Sequence, residues 1–89
     1  MRAVVSVIGK DKKGIIARVS TFLSEAGANI EDISQSIMQD YFAMIMLVDV
    51  SALSVDFSAL ASQLEALGES IGTAIKIQHE DIFNAMHKL

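Results

Sequence analysis

The residues best suited to chemistry near the start of the chain form the sequence GKDKKG, which runs from Gly9 to Gly14. This glycine spacing matches a phosphate-binding loop, but such a loop continues with lysine and serine or threonine, which contact phosphate and magnesium. Here Ile15 and Ile16 follow, so a nucleotide-hydrolysing loop is excluded. The alternatives are a solvated turn and an anion-binding helix start, because the first N–H groups of a helix lack intrahelical partners. In the second case Asp11 can accept a hydrogen bond from an ammonium group, or it can cap the helix.

The two histidines, His79 and His87, do not suggest a metal or catalytic site. The sequence HEDIF places Phe83 where the zinc-binding pattern H-E-x-x-H needs its second histidine. Neither histidine has a spacing to serine that suggests a catalytic triad. Adjacent carboxylates occur at residues 31–32 and 80–81, and such neighbours point apart on a strand. The sequence therefore predicts no enzyme activity, no metal site and no cofactor.

The composition is that of one small domain with more apolar residues than it can bury alone. The chain has 89 residues, of which 52% are hydrophobic, and a formal net charge of -4. A domain of this size buries roughly 60–70% of the surface of its unfolded chain. The surplus apolar residues therefore favour a second buried face and a homo-oligomer. The absence of cysteine excludes disulfides and thiolate metal sites.

The start of the chain lacks the pattern of a signal peptide, and no run approaches the roughly 18 apolar residues of a membrane helix. The sequence therefore predicts a cytoplasmic protein that does not bind a membrane. The acidic balance argues against nucleic-acid binding. RNA-recognition modules share the element order described next, but they stack bases on aromatic residues of a basic sheet. Here only Tyr41 and Phe42 offer aromatic side chains on a predicted strand.

The apolar pattern predicts the elements that position these residues. β-branched residues predict a strand over residues 3–8 that is buried on both faces, and helical spacing predicts a helix over residues 14–26 with Gly27 at its end. The other predicted elements are strands over 29–39, 42–50 and 73–79, a tight turn at Asp40 and Tyr41, a helix over 56–67 that starts near Asp56 and ends near Gly68, and a short helical tail.

The β-α-β-β-α-β order predicts an α+β, ferredoxin-like fold, in which two helices cover one face of a four-stranded antiparallel sheet. The domain is expected to span residues 1–79, and residues 80–89 form a C-terminal helical extension. The third strand is apolar on both sides, so either its Phe42 row or its Tyr41 row stays outside the helices. The tail or a second subunit is expected to cover that row. The second strand is expected at the sheet edge, with Asn29 at the same end of the sheet as the first loop.

The sequence GKDKKGIIARVSTFLSEAGANI resembles the start of an ACT domain, in which G-x-D-x-x-G precedes an apolar helix and G-x-N-I enters the second strand. With the element order, the resemblance covers about residues 2–79. The tail is similar to the extension of short stand-alone ACT-domain proteins of prokaryotes. The first half is also similar to ACT domains of formyltetrahydrofolate deformylases and glycine-cleavage regulators. The best-known amino-acid-binding pattern has asparagine in place of Asp11 and proline in place of Lys13.

The resemblance implies a non-enzymatic regulatory module that pairs with a second copy and binds an amino acid or similar metabolite between subunits. Helix-start amides would hold the ligand carboxylate, and two polar side chains would hold its ammonium group. The residues that the resemblance implies as ligand contacts are Gly9, Asp11, Gly14, Ile15, Asn29 and Ile30. The alternative function is a ligand-free interaction module that docks a partner enzyme through its apolar sheet face and tail.

Overall fold

The computed structural model describes residues 1–10 and 14–86 and confirms the predicted order of elements. Asp11, Lys13 and His87 lie outside the described residues. Within the described ranges, no helix is long and apolar enough to cross a membrane. The elements are β1 (Arg2–Lys10), α1 (Ile15–Glu25), β2 (Asn29–Met38), β3 (Tyr41–Asp49), α2 (Phe57–Ile71), β4 (Thr73–His79) and α3 (Glu80–Met86).

The four strands form one sheet in the order β2-β3-β1-β4, and every neighbouring pair is antiparallel. This arrangement confirms the ferredoxin-like prediction and places β2 and β4 at the two edges. Along β1, Arg2 pairs with Asp49 of β3, and Lys10 pairs with Tyr41. Because β1 and β2 both run antiparallel to β3, they run in the same direction, and α1 must return the chain between them.

The core lies between the sheet and the two long helices. Alternate residues of a strand point to opposite faces, and one face of each central strand is buried against α1 and α2. The buried strand residues on that face include Ala3, Val5 and Val7 of β1 and Phe42, Met44, Met46 and Val48 of β3. The helices contribute Ile15, Val19, Leu23, Leu60 and Leu64. Among the described residues, Thr73 is the only polar side chain that is buried with this core.

The end of α1 is at Gly27, as predicted. Gly27 has a φ angle of +91°, which glycine adopts without steric cost. Its N–H donates to the Ser24 carbonyl, and the N–H of Ala28 donates to the Leu23 carbonyl. These two bonds form the Schellman arrangement that satisfies the last carbonyls of a helix. A Cβ on Gly27 would also collide with the Ala52 carbonyl oxygen, so both the backbone angle and the packing require glycine.

The helix α2 begins after Asp56, as predicted, but it continues past Gly68 to Ile71. The predicted end near Gly68 is therefore wrong. Gly68 is buried, and a Cβ there would lie 2.6 Å from the Thr73 carbonyl oxygen. The glycine allows α2 to lie close against β4 instead of ending the helix. The left-handed residue that does end α2 is Gly72, with a φ angle of +72°.

The hairpin between β2 and β3 has a two-residue turn. Met38 pairs with Tyr41 across the hairpin, so the turn consists of Gln39 and Asp40 and not of Asp40 and Tyr41 as predicted. Gln39 has a φ angle of +54°, the left-handed conformation that two-residue hairpin turns use at their first position. The sequence locates this turn to within one residue.

The face of the sheet opposite α1 and α2, here called the open face, carries the Tyr41 row of β3, whereas the Phe42 row is the buried one. Tyr41 is 57% exposed and Ile45 is 46% exposed. On the same face, Ile8 of β1 is 56% exposed. The prediction that the first strand is buried on both faces is therefore wrong at Ile8. One end of the open face presents uncovered apolar side chains.

The C-terminal helix α3 covers the other end of the open face. Val4 points to this face, since the residues on either side of it are in the core, yet it is only 7% exposed. α3 contacts both β1 and β4. The Arg2 Nη2 atom lies 2.8 Å from Oε2 of Glu80, the first residue of α3. The C-terminal tail therefore covers part of the open face. This is one of the two predicted alternatives, the other being a second subunit.

Candidate ligand-binding site

The start of α1 has no side-chain cap from residues 1–10 or 14–86. Gly14 is the N-cap with a φ angle of +87°, and no side chain in those ranges bonds to the first N–H groups of the helix. Apart from the chain neighbours of Gly14, no atom of the described residues lies within 4 Å of the position that a Cβ on Gly14 would occupy. The N–H of Arg18 donates to the Gly14 carbonyl over 3.0 Å, so the N–H groups of residues 15–17 precede the first intrahelical bond. Three backbone donors therefore lie together at the positive end of the helix dipole.

The glycine at position 9, near the end of β1, is required by packing between strands. Gly9 pairs with Phe42 of β3 and with Thr73 of β4. A Cβ on Gly9 would lie 2.7 Å from Cγ2 of Thr73, which is closer than two nonbonded carbon atoms approach in a packed interior. The structure thus accounts for this glycine without a ligand, and its contact with a ligand stays a prediction.

The two isoleucines among the predicted ligand residues direct their side chains toward the core. Ile15 is 4% exposed and belongs to the core cluster. Ile30 is half-buried, packs against the same cluster and pairs with Val48 of β3. For Ile15, the group left for a ligand is therefore the backbone N–H at the start of α1.

The side chain of Asn29 lies at the opposite end of the sheet from the first loop. Asn29 pairs with Asp49, which pairs with Arg2 at the start of β1. The loop follows Lys10 at the other end of β1, and eight strand residues span roughly 26 Å. The prediction that Asn29 shares a sheet end with the loop is wrong. β1 and β2 run in the same direction, so α1 carries the chain back across the sheet before β2 begins.

The edge of β2 is long and exposed. β2 has ten residues, and within the described part of the chain β3 is its one neighbour in the sheet. On the side of the sheet that carries α1, Ile33 is 42% exposed and Ile37 is 59% exposed. Ile16 of α1 is 38% exposed. An unpaired strand edge beside apolar side chains is a surface that another protein strand can cover.

Charged groups at the end of the sheet where β2 begins bind one another. The guanidinium of Arg2 contacts Glu80 at 2.8 Å and Glu31 at 3.9 Å. The Asp49 carboxylate accepts the Ser51 N–H at 2.9 Å. Hydrogen bonds from the Ser51 side chain, and secondly from its backbone, hold the pKa of Asp49 below its ordinary value of 3.8. Arg2 and Asp49 therefore already have protein partners.

The histidine of β4 packs against α2. The His79 ring stacks on the Phe57 ring, with 4.1 Å between centroids and 14° between planes. Within residues 1–10 and 14–86, no group of three or more histidine, aspartate or glutamate residues is arranged to hold a metal ion. The described geometry gives His79 a stacking contact at the start of α2.

One polar residue that sequence analysis does not identify is Thr73. It is 8% exposed, and its hydroxyl oxygen is buried without a hydrogen-bond partner among the described residues. Thr73 also lines a cavity of about 240 Å³ between α2 and the free edge of β4, together with Glu65, Glu69 and Lys76. The burial of Thr73 depends on the missing side chain of Gly9 in the neighbouring strand, which no local pattern reveals.

Sequence comparisons place the chain among known relatives. A family model described as ACT domain matches residues 2–78. A UPF0237 protein of Methanocaldococcus jannaschii is 56% identical over 88 residues, which cover 99% of this chain and 98% of that protein. A UPF0237 protein of Clostridium acetobutylicum is 53% identical over 89 residues and covers both chains completely. These matches extend over the whole chain, including α3.

Solved structures share the fold. An ACT domain protein from Streptococcus pneumoniae has a TM-score of 0.82 and 42% identity, and covers 98% of each chain. A formyltetrahydrofolate deformylase from Pseudomonas putida has a TM-score of 0.79 at 12% identity, covering 91% of this chain and 29% of that one. A putative glycine cleavage system transcriptional repressor has a TM-score of 0.71 at 23% identity, covering 86% and 44%. The last two show a common fold alone. The resemblance predicted from the sequence is confirmed.

Proposed function

We propose that this chain, which belongs to the ACT domain family, is a non-enzymatic regulatory protein that binds a free amino acid between two copies of itself. ACT domains are regulatory, ligand-binding domains, and an ACT domain protein has the same fold over nearly the whole chain. The amino acid, the pairing of two copies and the absence of catalysis are parts of the proposal.

The observation that carries the proposal is the start of α1, which no side chain of the described residues caps. The N–H groups of residues 15–17 lie together next to Gly14, and no hydrogen bond from that part of the chain satisfies them. Backbone donors at a helix start bind carboxylate oxygens well, because the helix dipole adds to the hydrogen bonds. The described residues leave space around Gly14 in which a ligand can approach this position. A free amino acid brings a carboxylate of suitable size.

The ammonium group of the ligand needs hydrogen-bond acceptors near the start of α1. The Asn29 side chain of the same chain cannot serve, because Asn29 lies at the opposite end of the sheet from the loop. A second copy can supply them. In an antiparallel pair of two β2 strands, the start of one strand lies beside the end of the other. Pairing over the full length would set the partner subunit's Asn29 opposite Met38, at the end of the sheet that carries the loop. Asp11 in the loop is the second predicted acceptor.

The surface beside β2 supports such a pairing. Exposed Ile33 and Ile37 flank the edge on the side of α1, and Ile16 lies on α1 itself. In a two-fold dimer, these isoleucines of one subunit would pack against the same isoleucines of the other, because both subunits contribute the same surface to an isologous interface. It also satisfies backbone groups that the free edge leaves unpaired. The proposed dimer thus buries apolar surface and completes two ligand sites at once.

A thermal unfolding screen of the full chain against the common amino acids, each at millimolar concentration, tests the proposal. We expect one amino acid or a small related group to raise the melting temperature, because a ligand bound only by the native state stabilises it. The variant Asn29→Ala should lose this shift. The matched control, Asn84→Ala on the exposed side of α3, should keep it. No shift with any amino acid, checked by calorimetric titration, contradicts the proposal.

Mixing two defective variants tests whether the site lies between subunits. Asp11→Ala removes the acceptor in the loop, and Asn29→Ala removes the acceptor that the partner supplies. Each variant alone should bind poorly. A mixed dimer should regain one intact site, because the loop of the Asn29→Ala copy meets the intact Asn29 of the other copy. If binding resides within one chain, mixing restores nothing.

A further inference from the structure

We propose that the free edge of β4 and the adjacent side of α2 bind an extended segment of another protein, in which basic and acidic side chains alternate. This site lies at the opposite edge of the sheet from β2. It is therefore separate from the amino-acid site and goes beyond the proposed function. The strand edge, the cavity, the charges and one buried hydroxyl each support it.

Among the described residues, β1 is the one strand beside β4, so the outer edge of β4 over residues 73–77 has no strand partner there. In an antiparallel ladder, the residues that do not bond to the neighbour direct their N–H and C=O groups outward. Such an edge can accept another strand, which is a common way in which proteins bind extended peptides. Lys76, a charged residue on the edge strand, discourages pairing with strands of unsuitable sequence.

A cavity of about 240 Å³ runs along this edge between α2 and β4. It is bounded on one side by the close contact of α2 with β4, where Gly68 leaves room for the Thr73 carbonyl. Sites for drug-sized molecules have roughly 300–1,000 Å³. This cavity is smaller, and it suits one or two side chains of an added strand. The arrangement of a helix beside a strand edge supplies both backbone partners and a place for side chains.

Opposite charges line the two sides of the edge. Glu65 and Glu69 are one turn apart on α2 and exposed, and neither forms an ion pair among the described residues. Lys76 pairs with Ser6 of β1 and points to the open face. Side chains of an added strand alternate between the two sides. Those on the side of α2 meet the carboxylates and should be basic, and those on the open side meet Lys76 and should be acidic.

A buried hydroxyl provides an observation independent of these charges. Thr73 lines the cavity, and its Oγ1 atom is buried without a partner among the described residues. A buried polar atom without a hydrogen bond is costly and uncommon. Because this oxygen has almost no accessible surface, an added strand at the Thr73 end of β4 can supply that bond only when the Thr73 side chain turns toward the cavity. The cavity therefore has two carboxylates along its side and, at one end, a hydroxyl that becomes a polar anchor when its side chain turns.

Titration of the isotope-labelled full chain with synthetic peptides, followed by NMR of the backbone amides, tests this site. The probe is a seven-residue peptide of valine and threonine, with two arginines on one side of the strand and a glutamate between them. We expect amide shifts in β4 and on the adjacent side of α2. A peptide with the charges exchanged should bind about tenfold more weakly. Glu65→Gln with Glu69→Gln should weaken the first peptide by a similar factor, and Glu25→Gln on α1 should not.

Two further measurements separate strand pairing from simple attraction of cations. Methylation of the peptide nitrogens that face β4 should abolish binding, because it removes the donors of the ladder. Free arginine should not saturate the same amides at the concentration at which the peptide does. Equal binding of the exchanged peptide, equal binding of free arginine, or shifts confined to other strands would each overturn the proposal. Unchanged spectra of the glutamine variants without peptide establish that they are folded.

Discussion

The methyl group of Thr73 fills the space that a side chain on Gly9 would need, since a Cβ built there lies 2.7 Å from Thr73 Cγ2. The two residues are directly opposite in the β1–β4 pair. We expect Gly9→Ala to lower the free energy of unfolding by about 1–3 kcal/mol, because the added carbon overpacks a tight site. Urea unfolding with an unchanged denaturant slope measures the loss.

The double variant with Thr73→Ser checks the cause of this loss. Serine removes Cγ2 and keeps the hydroxyl, so part of the clash disappears, although the Cβ of residue 73 remains 3.1 Å away. The double variant should lose less stability than the sum of the two single variants, as expected for residues in contact. Simple additivity would show that the contact between the two side chains is not responsible.

A second prediction concerns the Thr73 hydroxyl. Replacement by valine keeps the shape of the side chain and removes a buried polar atom that lacks a partner. We expect Thr73→Val to raise the free energy of unfolding by about 1 kcal/mol. The control Thr21→Val, on the exposed side of α1, should change the free energy of unfolding by less than about 0.5 kcal/mol. A marked fall in the stability of Thr73→Val would reveal a hydrogen bond that the described residues do not contain.

The positive φ of Gly14 leads to a third prediction. A side chain there has open space but an unfavourable left-handed backbone. Gly14→Ala should therefore lower the free energy of unfolding by about 1–2 kcal/mol, and Gly14→Asn by less, because asparagine visits this region more readily. Chemical unfolding of both variants measures the difference. Equal stability of alanine and glycine at this position would contradict the left-handed assignment.

The fourth prediction addresses assembly through β2. Ile37→Lys places a charge at the edge that is proposed to pair with its copy, so it should convert the dimer into monomers. Ile8→Lys introduces the same charge on the open face and should leave the mass in solution unchanged. Both isoleucines are more than half exposed, so each variant should fold. Light scattering after size exclusion gives the mass, and the reverse outcome would assign the interface to the open face.

The fifth prediction follows from the lowered pKa of Asp49. The folded state holds the Asp49 pKa below 3.8, chiefly through the Ser51 side chain. The carboxylate therefore stabilises the fold above its unfolded pKa, and this contribution is lost as the pH falls through the folded pKa. Asp49→Asn should flatten the fall in melting temperature below about pH 4. Ser51→Ala should flatten it less, because the backbone hydrogen bond remains. An acid profile of Asp49→Asn identical to that of the parent chain would argue against this linkage.

Local patterns predict most of the fold. The spacing of apolar residues predicts both long helices, and Gly27 ends α1 with the expected bonds. The errors arise where tertiary contacts decide. Gly68 has the appearance of a helix end, but it is a close-packing position against β4, and Gly72 ends the helix instead. Ile8 has the appearance of a buried strand residue, but α3 covers only the Val4 end of that face.

The candidate site is predicted less completely. The sequence locates the open helix start at Gly14, since glycine before an apolar helix is a local signal. It does not locate Asn29, because strand direction depends on how α1 returns the chain. Thr73, Glu65 and Glu69 come together only through the packing of α2 on β4. Sites that join two sequence-distant elements have no spacing pattern from which they could be identified.

The two borders of the sheet are unlike, with β2 on one side and β4 on the other. Joining two copies through β2 would leave a β4 strand at each outer end of the combined sheet. Such a dimer would be bivalent. Once a target with two suitable segments had bound one β4 edge, its second segment would be at high effective concentration near the other β4 edge. An amino acid that favours the dimer would then convert a weak single attachment into an avid one, without contacting the target.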